Sequence, residues 1–242
     1  MKYLDGVTYV FGWSNLFSFL IVLQLCVGKD APVTSVTRSV QLNGFHRVLE
    51  TNFVVENILT EFRNCKWAMD QTIPSGAYVD PFQLKEYERS KLTLHQMQIV
   101  GSVDIEAAEQ HAEDHRLLIF FNETTIPSLN KLHIKFPFHL RYHKANNGGG
   151  MATVRLTGPK LLMRCHEMMG EEILEAPCCH LCKNCDWNII HPIHDIEDIY
   201  LQVPVGNLDH REWVTIVTLI MIIGSCYYII SPISEIITLK NV

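Results

Sequence analysis

A run of cysteines late in the chain is the feature best suited to chemistry. Four cysteines fall within eight residues, namely Cys178, Cys179, Cys182 and Cys185, and His191 and His194 follow them. Thiolates and imidazoles are the ligands that zinc prefers, so the run could hold a metal. In an oxidising compartment such thiols form disulfides, and Cys65 and Cys165 bring the number outside the two apolar ends of the chain to an even six. The even number favours disulfides, with a zinc site as the open alternative.

A row of cationic side chains in the middle of the chain is the second such feature. Apolar and polar residues alternate between positions 131 and 143, and the polar set includes Lys135, His139, Arg141 and His143. A period of two places successive side chains on opposite faces of a β-strand. The cationic face could bind phosphate or the carboxylates of a partner, and a solvated face with no ligand is the alternative. The apolar set, from Leu132 to Tyr142, is expected in the core.

The chain carries no recognisable catalytic or cofactor motif. A nucleophile elbow, a phosphate-binding loop and a dinucleotide fingerprint are all absent from the sequence. Its 20 basic and 26 acidic residues give a net charge of −6 without any basic run, which argues against nucleic acid as a partner. With 48% hydrophobic residues among 242, the chain can build a core. We therefore predict a folded, non-enzymatic protein with no catalytic, cofactor-binding or metal-binding residues.

Two apolar ends frame this polar middle. At the N-terminus the densest apolar part, Leu16–Val27, has the length of a signal-peptide core, and small residues precede a candidate cut after Gly28. We predict a cleaved signal peptide over residues 1–28, with an uncleaved anchor as the alternative.

The C-terminal apolar run predicts a transmembrane helix over residues 211–234. The 22 residues from Trp213 to Ser234 carry no charge, and as a helix rising about 1.5 Å per residue they cross a hydrocarbon core of about 30 Å. A buried core helix and a GPI-attachment signal are the alternatives. With a cleaved signal, this helix implies a single-pass type I protein. Residues 29–210 would then lie in the lumen and residues 235–242 would form a cytosolic tail.

The middle of the chain, residues 29–210, is predicted to be one antiparallel β-sandwich-like domain. The alternating run joins a second one, 151–157, through the glycine-rich loop 145–150, so we expect a β-hairpin over residues 131–157. Further strands are expected at 47–55, 92–100 and 117–121, a short helix at 85–89, and turns at 73–76 and 80–81. The predicted fold class is therefore mainly β, with one C-terminal transmembrane helix.

Asn122 is the asparagine of the sequon Asn122-Glu123-Thr124. A lumenal domain would expose this side chain to the glycosylation machinery. We therefore predict N-glycosylation at Asn122, just after the strand that ends at Phe121.

Several short blocks together resemble the family of phosphatidylinositol-glycan biosynthesis class X proteins. The most telling block is Phe136–His143, which is followed by Gly158–Met163. The other blocks, in the order the family has them, are Gly44–Arg47, Ile73–Phe82, Ala176–Cys178, Cys185–Trp187 and Leu201–Gly206. Together they cover most of residues 44–230.

This resemblance implies a non-catalytic, stabilising subunit of GPI mannosyltransferase I in the endoplasmic reticulum membrane. In that family the partner is a multi-span catalytic subunit, which transfers the first mannose from dolichol-phosphate-mannose to glucosaminyl-acyl-phosphatidylinositol. The resemblance makes His139, Arg141 and His143 candidate partner-binding residues.

The same resemblance bears on the cysteines. Cys165, Cys178 and Cys185 match family positions, whereas Cys179 and Cys182 look like additions. The alternative function is a lumenal carbohydrate-binding or cargo-receptor-type membrane protein.

Overall fold

A computed structural model describes residues 33–55, 65–90, 95–121, 131–165, 172–192 and 195–240. All of them belong to one unit, Pro32–Val242. The predicted signal peptide, residues 1–28, and the predicted glycosylation site, Asn122, lie outside the described residues.

Strands dominate the described part of the chain. In chain order they are β1 Val33–Gln41, β2 His46–Val55, β3 Lys66–Ile73, β4 Ala77–Tyr78, β5 Gln96–Val100, β6 His115–Phe120, β7 Lys131–Leu140, β8 Gly150–Leu156, β9 Lys160–Arg164, β10 Ile173–Pro177, β11 Asn184–Ile190 and β12 Ile199–Val205. The helices are α1 Pro81–Arg89 and α2 Arg211–Lys240, with short 3₁₀ turns at Glu109–His111 and Leu208–His210.

These strands form three antiparallel sheets. A four-stranded sheet has the order β1-β2-β7-β4, a six-stranded sheet has the order β10-β11-β9-β3-β6-β5, and β12 pairs with β8. A mainly β, antiparallel fold with one apolar C-terminal helix is the predicted fold class, and it is confirmed.

The main core lies between the four-stranded and six-stranded sheets. The alternation in β7 is confirmed by burial, because its inward residues from Leu132 to Leu140 all belong to this core. Phe136 and Phe138 are wholly buried, and β2 adds Leu49 and Phe53 from the neighbouring strand. One wet face and one buried face therefore explain the period of two.

The predicted hairpin over residues 131–157 is wrong, although both of its strands exist. Strand β7 pairs with β2 along nearly its whole length and with β4 at its end, whereas β8 pairs with β12. The intervening residues 141–149 are too long for a tight turn. The amide of Asn146 donates to the carbonyl of Gly206 instead, so the loop follows the strand that pairs with β8.

The six-stranded sheet is apolar on its outer face as well. A second cluster there includes Ala68, Leu118, Leu162 and Trp187, all of them wholly buried. The ring centroids of Phe120 and Trp187 are 6.4 Å apart, although β9 and β3 separate their strands in the sheet order. Strands lie about 4.8 Å apart in a sheet, so β11 must bend over the outer face to bring these rings together. The β10–β11 hairpin is therefore the cover of this second cluster.

Disulfides pair all six cysteines that the sequence singled out. Cys65, just before β3, pairs with Cys165, just after β9, at a sequence separation of 100. The other pairs, Cys178–Cys185 and Cys179–Cys182, close the turn of the β10–β11 hairpin. The turn also reaches β5, where the amide of Leu181 donates to the side-chain oxygen Oε1 of Gln98 at 2.9 Å. The two disulfides fix the shape of the hairpin turn, and the hydrogen bond to Gln98 holds that turn against the six-stranded sheet.

Helix α1 begins where the sequence predicted a turn at Asp80-Pro81. The Asp80 side chain accepts from the amides of Phe82 and Gln83, and Pro81 occupies the first helical position. An aspartate at the N-cap followed by proline is a favourable helix start. The predicted helix at 85–89 is therefore the second half of a longer one, whose buried residue is Leu84.

Helix α2 covers the predicted transmembrane span and continues to Lys240. The candidate span Leu208–Ile233 begins in the 3₁₀ turn before α2; its most apolar 18-residue window has a mean hydropathy of 2.1, and none of that window is buried by the protein. Apolar side chains on every side of an exposed helix suit a lipid environment. The length and composition of this segment thus make it a candidate span.

The cover of the second cluster can be tested at Trp187. We expect Trp187→Ala to lower the free energy of unfolding by about 3–5 kcal/mol, because it removes a wholly buried ring. It also removes the hydrogen bond from the indole Nε1 to the carbonyl of Pro177. Urea unfolding of the full chain in mild detergent measures the change. The control is Ile173→Ala on the same hairpin, whose side chain is exposed; equal loss in both variants would contradict this assignment.

Candidate functional site

Three family-like blocks meet at one end of the four-stranded sheet. His46 at the start of β2 pairs with His139 near the end of β7, and Tyr78 of β4 pairs with the same His139 on the other side. The amide of Leu140 donates to the carbonyl of Phe45, which closes this end. Blocks separated by up to about a hundred positions in the sequence therefore form one surface.

Five aromatic and imidazole rings lie at this end of the sheet in two groups, the stack of Tyr78, His139 and His46 and the pair of Phe45 and Tyr142, and we call them together the ring cluster. Tyr78 and His139 stack with centroids 5.1 Å apart, and the His46 and His139 centroids are 4.7 Å apart. Phe45 and Tyr142 lie 4.6 Å apart. Ring pairs at such distances are mutually stabilising and hold one another in place.

Arg141 contacts the ring cluster through the face of the Tyr78 ring. Its guanidinium carbon lies 4.6 Å from the centroid of the Tyr78 ring, and one of its terminal nitrogens donates to the carbonyl of Ala107 at 2.6 Å. Its amide donates to the carbonyl of Gly76. Arg141 is only 3% exposed, and burial lowers its pKa. Of the predicted partner-binding residues it is therefore the one that positions others.

Tyr142 was expected in the core, and this expectation is wrong, because its side chain is 71% exposed. Strand β7 ends at Leu140, the last residue of the strand in the core. Beyond it the Tyr142 carbonyl accepts from the amide of Glu109, and its ring packs against the half-buried Phe45 in a tilted arrangement. The alternation of apolar and polar residues therefore continues in the sequence beyond the end of the core.

His139 and His143 are both half-buried at the edge of this surface. The Nε2 atom of His139 lies 3.0 Å from the side-chain oxygen of Gln83 and 3.3 Å from Nδ1 of His46. The side-chain oxygen of Gln83 can accept a hydrogen bond from Nε2 of His139 in the tautomer that carries its proton there. Burial, and secondly the charge on His46, lower the pKa of His139. The neutral imidazole is thus favoured.

A groove of about 470 Å³ opens beside the ring cluster. It runs between α1 and the outer face of the four-stranded sheet, where its lining includes His46, Gln83, Tyr87, Lys135 and Pro137. The sheet side also carries a salt bridge, in which Lys135 contacts the Glu50 carboxylate and holds its pKa below the usual value. Aromatic rings and imidazoles beside a groove that carries both signs of charge form the kind of surface found at protein–protein contacts.

Sequence reasoning missed Phe45, Tyr78 and Gln83 as members of this site. The signal for Phe45 and Tyr78 was the resemblance, since Gly44–Arg47 and Ile73–Phe82 both match family blocks, whereas Gln83 lies just beyond the second block. Nothing local in the sequence indicates that these blocks touch His139.

The alternative of a zinc site at the cysteine run is disfavoured by the pairing of the cysteines. Cys178, Cys179, Cys182 and Cys185 are all bound in disulfides, so they offer no thiolate. His191 lies 2.9 Å from the carboxylate of Glu172, and His194 is outside the described residues. Across the described ranges, no group of three or more His, Cys, Asp or Glu side chains could hold a metal ion.

Comparison with known proteins points to one family. The family model PIG-X / PBN1 matches residues 42–234. The chain is 28% identical over 188 residues to a Homo sapiens protein named GPI alpha-1,4-mannosyltransferase I, stabilizing subunit, covering 75% of this chain and 72% of that protein. Proteins of the same name are 26% identical in Mus musculus, covering 75% and 73%, and 24% identical in Rattus norvegicus, covering 74% and 73%.

The buried His95 and His115 and the half-buried His139 predict that acid destabilises the domain. Burial is the main cause that lowers the pKa of His95, His115 and His139. An unfolded histidine binds its proton near pH 6.5, so below about that pH the unfolded state takes up more protons than the folded state. The free energy of unfolding should therefore fall as the pH falls from about 7.5 to 5.5, as measured by urea midpoints.

His115 offers the sharpest test of this pH dependence. Its Nε2 accepts the amide of Val79, which a protonated ring cannot do. His115→Gln keeps an acceptor without a titrating group, so its unfolding free energy should depend less steeply on pH. The matched control is His111→Gln, at an exposed position. If both variants keep the slope of the parent protein, the proposed cause is wrong.

Proposed function

Because this chain belongs to the PIG-X / PBN1 family, we propose that it is the non-catalytic, stabilising subunit of GPI mannosyltransferase I. The observation that carries this function is the extent of the family match, residues 42–234, which includes the strands from β2 to β12, the ring cluster and most of the apolar helix. The mammalian relatives with this name match over about three quarters of the chain. The chain is thus an accessory subunit of GPI-anchor biosynthesis and not the catalytic enzyme.

The proposal places the chain in the endoplasmic reticulum membrane as a single-pass type I protein. Helix α2 would cross the bilayer and the sheets would lie in the lumen. Three disulfides within the sheet domain support an oxidising environment. The sequon at Asn122 fits the same side of the membrane.

The proposed mechanism is thermodynamic linkage. A subunit that binds only the folded form of a catalytic partner lowers the population of its unfolded forms, and so protects it from degradation. The partner would be the multi-span subunit that adds the first mannose from dolichol-phosphate-mannose. Helix α2 presents apolar side chains on all sides, so it can pack against a partner's helices within the bilayer.

The ring cluster is the proposed contact outside the bilayer. Tyr142 is 71% exposed and is held against Phe45, which makes it a rigid aromatic anchor. Aromatic anchors of this kind carry much of the binding energy at protein interfaces. His139 and His143 border the anchor, and Arg141 keeps Tyr78 and His139 in place from below. The candidate residues His139, Arg141 and His143 thus act together, as two contacts and one support.

Cells that lack their own stabilising subunit test the function directly. Expression of this chain should raise the amount of the catalytic subunit and restore GPI-anchored proteins at the cell surface, because the partner is no longer degraded. Immunoblotting and flow cytometry measure the two outcomes. A chain truncated before Arg211 is the control without the apolar helix. Unchanged levels of both readouts with the full chain would contradict the proposed function.

Glycosylation tests the proposed orientation. If the sheet domain faces the lumen, endoglycosidase should lower the apparent mass of the protein by that of one glycan. The Asn122→Gln variant should show no such shift in apparent mass. Gel mobility measures the difference. A glycosidase-resistant parent chain of unchanged mobility would contradict lumenal N-glycosylation at Asn122.

Substitution of Tyr142 tests the proposed contact. We expect Tyr142→Ala to weaken co-purification of the catalytic subunit by roughly 5–30-fold, which corresponds to about 1–2 kcal/mol for an aromatic anchor. Tyr142→Phe should keep most of the binding because the ring still stacks on Phe45. Tyr200→Ala is the matched control, since Tyr200 is an exposed tyrosine on β12. Equal co-purification with the Tyr142→Ala and Tyr200→Ala variants would contradict this surface as the contact.

A further inference from the structure

A loop far away in the sequence is bound to the start of the apolar helix. We call residues 144–149 the junction loop. The amide of Asn146 donates to the carbonyl of Gly206 at 3.0 Å, and the amide of Leu208 donates back to the carbonyl of Asn146 at 2.9 Å. Further along the loop, the amide of Gly148 donates to the side-chain oxygens of Asn207 and Asp209. The loop is thus fixed to the residues that lead into α2.

Glycines allow this close approach. At Gly149 a Cβ atom would lie 3.2 Å from Cβ of Asn207 and 3.4 Å from the carbonyl oxygen of Val205, and the φ angle of +67° is itself unfavourable for other residues. A Cβ on Gly206 would lie 3.3 Å from Cβ of Ala145. Glycines at both contact points therefore let the two backbones pack directly.

The position of Leu208 sets the depth of the junction loop. Leu208 is the first residue of the candidate span, and the 3₁₀ turn Leu208–His210 runs directly into α2. Three residues at about 2.0 Å and two at about 1.5 Å separate Leu208 from Trp213 by roughly 9 Å along the axis. Tryptophan favours the interface, and the headgroup layer is about 5–8 Å thick on each side. With α2 across the bilayer, the loop bonded to Leu208 would therefore lie at the outer edge of the headgroup layer.

We propose that the junction loop is seated in the phospholipid headgroup layer and holds the sheet domain against the bilayer at a fixed height. This inference rests on α2 crossing the membrane and does not depend on which protein the chain stabilises. The loop is suited to that layer because it carries no bulky side chain and exposes Lys144, whose ammonium group can pair with lipid phosphate. Met151 and Leu208, next to the loop, are exposed apolar side chains that lipid would cover.

The seat also determines where the ring cluster lies. Tyr142 is four positions before Asn146, so its Cα lies at most about 14 Å from the headgroup level. Loops of a membrane-embedded partner that project by about 14 Å would reach Tyr142 at that height. A seated junction loop would thus bring Tyr142 to the level of such a partner without any motion of the sheet domain.

Spin labels at three depths test the seat. In the full chain with Cys26 and Cys226 replaced by serine, single cysteines are introduced as Asn147→Cys, Thr157→Cys and Met221→Cys and reconstituted in phosphatidylcholine vesicles. Thr157 is exposed and follows β8, roughly 20 Å along the strand from the loop, and Met221 lies midway along the candidate span. We expect nickel chelated to lipid headgroups to relax the label at 147 at least threefold more than the label at 157.

The label at 221 separates the two ways in which the proposal can fail. It should be relaxed by dissolved oxygen and protected from water-soluble nickel if α2 spans the bilayer. Protection at 221 combined with equal relaxation at 147 and 157 would overturn the seat alone. Exposure of 221 to water-soluble nickel would overturn the span and the seat with it.

A junction variant tests whether the loop contacts hold the seat. Gly149→Val adds a side chain against Asn207, so we expect it to lower headgroup relaxation of the label at 147 and to increase its mobility. Gly44→Ala is the matched control, since Gly44 also has a positive φ angle but has no atom within 4 Å of an added Cβ. Unchanged relaxation at 147 in the Gly149→Val variant would show that the contacts do not hold the loop there.

Discussion

The six-stranded sheet is buried on both faces, and this constraint governs how the rest of the domain is built. Strands β3 and β9 at its centre carry apolar side chains inward and outward, so each face needs its own cover. The four-stranded sheet covers one face and the β10–β11 hairpin the other. Leaving Trp187 in water would forfeit the burial of its whole ring. The disulfides Cys178–Cys185 and Cys179–Cys182 close the turn of this hairpin, at the end that contacts β5.

The sequence predicted strands of two kinds, those whose side chains alternate and those with an unbroken apolar run, such as Leu117–Phe120 in β6. Strand β7 was predicted because its side chains alternate, whereas β3 was missed because a strand covered twice has no alternation and includes the buried Asp70 and Gln71. Their partners, Arg116 and the carbonyl of Thr157, come from distant segments. The hairpin and the burial of Tyr142 were wrong for a related reason, because local spacing does not specify which strand becomes a neighbour or where the core ends. The candidate site followed from the family resemblance rather than from local pattern.

A protein that acts by stabilising another needs a surface that keeps its shape. Each ring of the ring cluster has a neighbour that fixes it: Arg141 under Tyr78, Tyr78 on His139, His46 beside His139 and Phe45 on Tyr142. Such preorganisation reduces the entropy lost when a partner binds. The junction loop extends the same rigidity to the membrane-facing end, where helix and sheets share hydrogen bonds. Fold, surface and placement thus serve binding rather than chemistry.

The bond between Cys65 and Cys165 has a consequence for the newly made chain. Its two sulfurs are separated by 100 residues, and at roughly 5–20 residues per second the ribosome needs several seconds to deliver the second after the first. During that interval Cys65 is a thiol without its native mate, and β3 lacks its neighbour β9. The pairs Cys178–Cys185 and Cys179–Cys182, by contrast, emerge almost together. Correct pairing therefore requires that Cys65 form no lasting bond with another cysteine before Cys165 has been made.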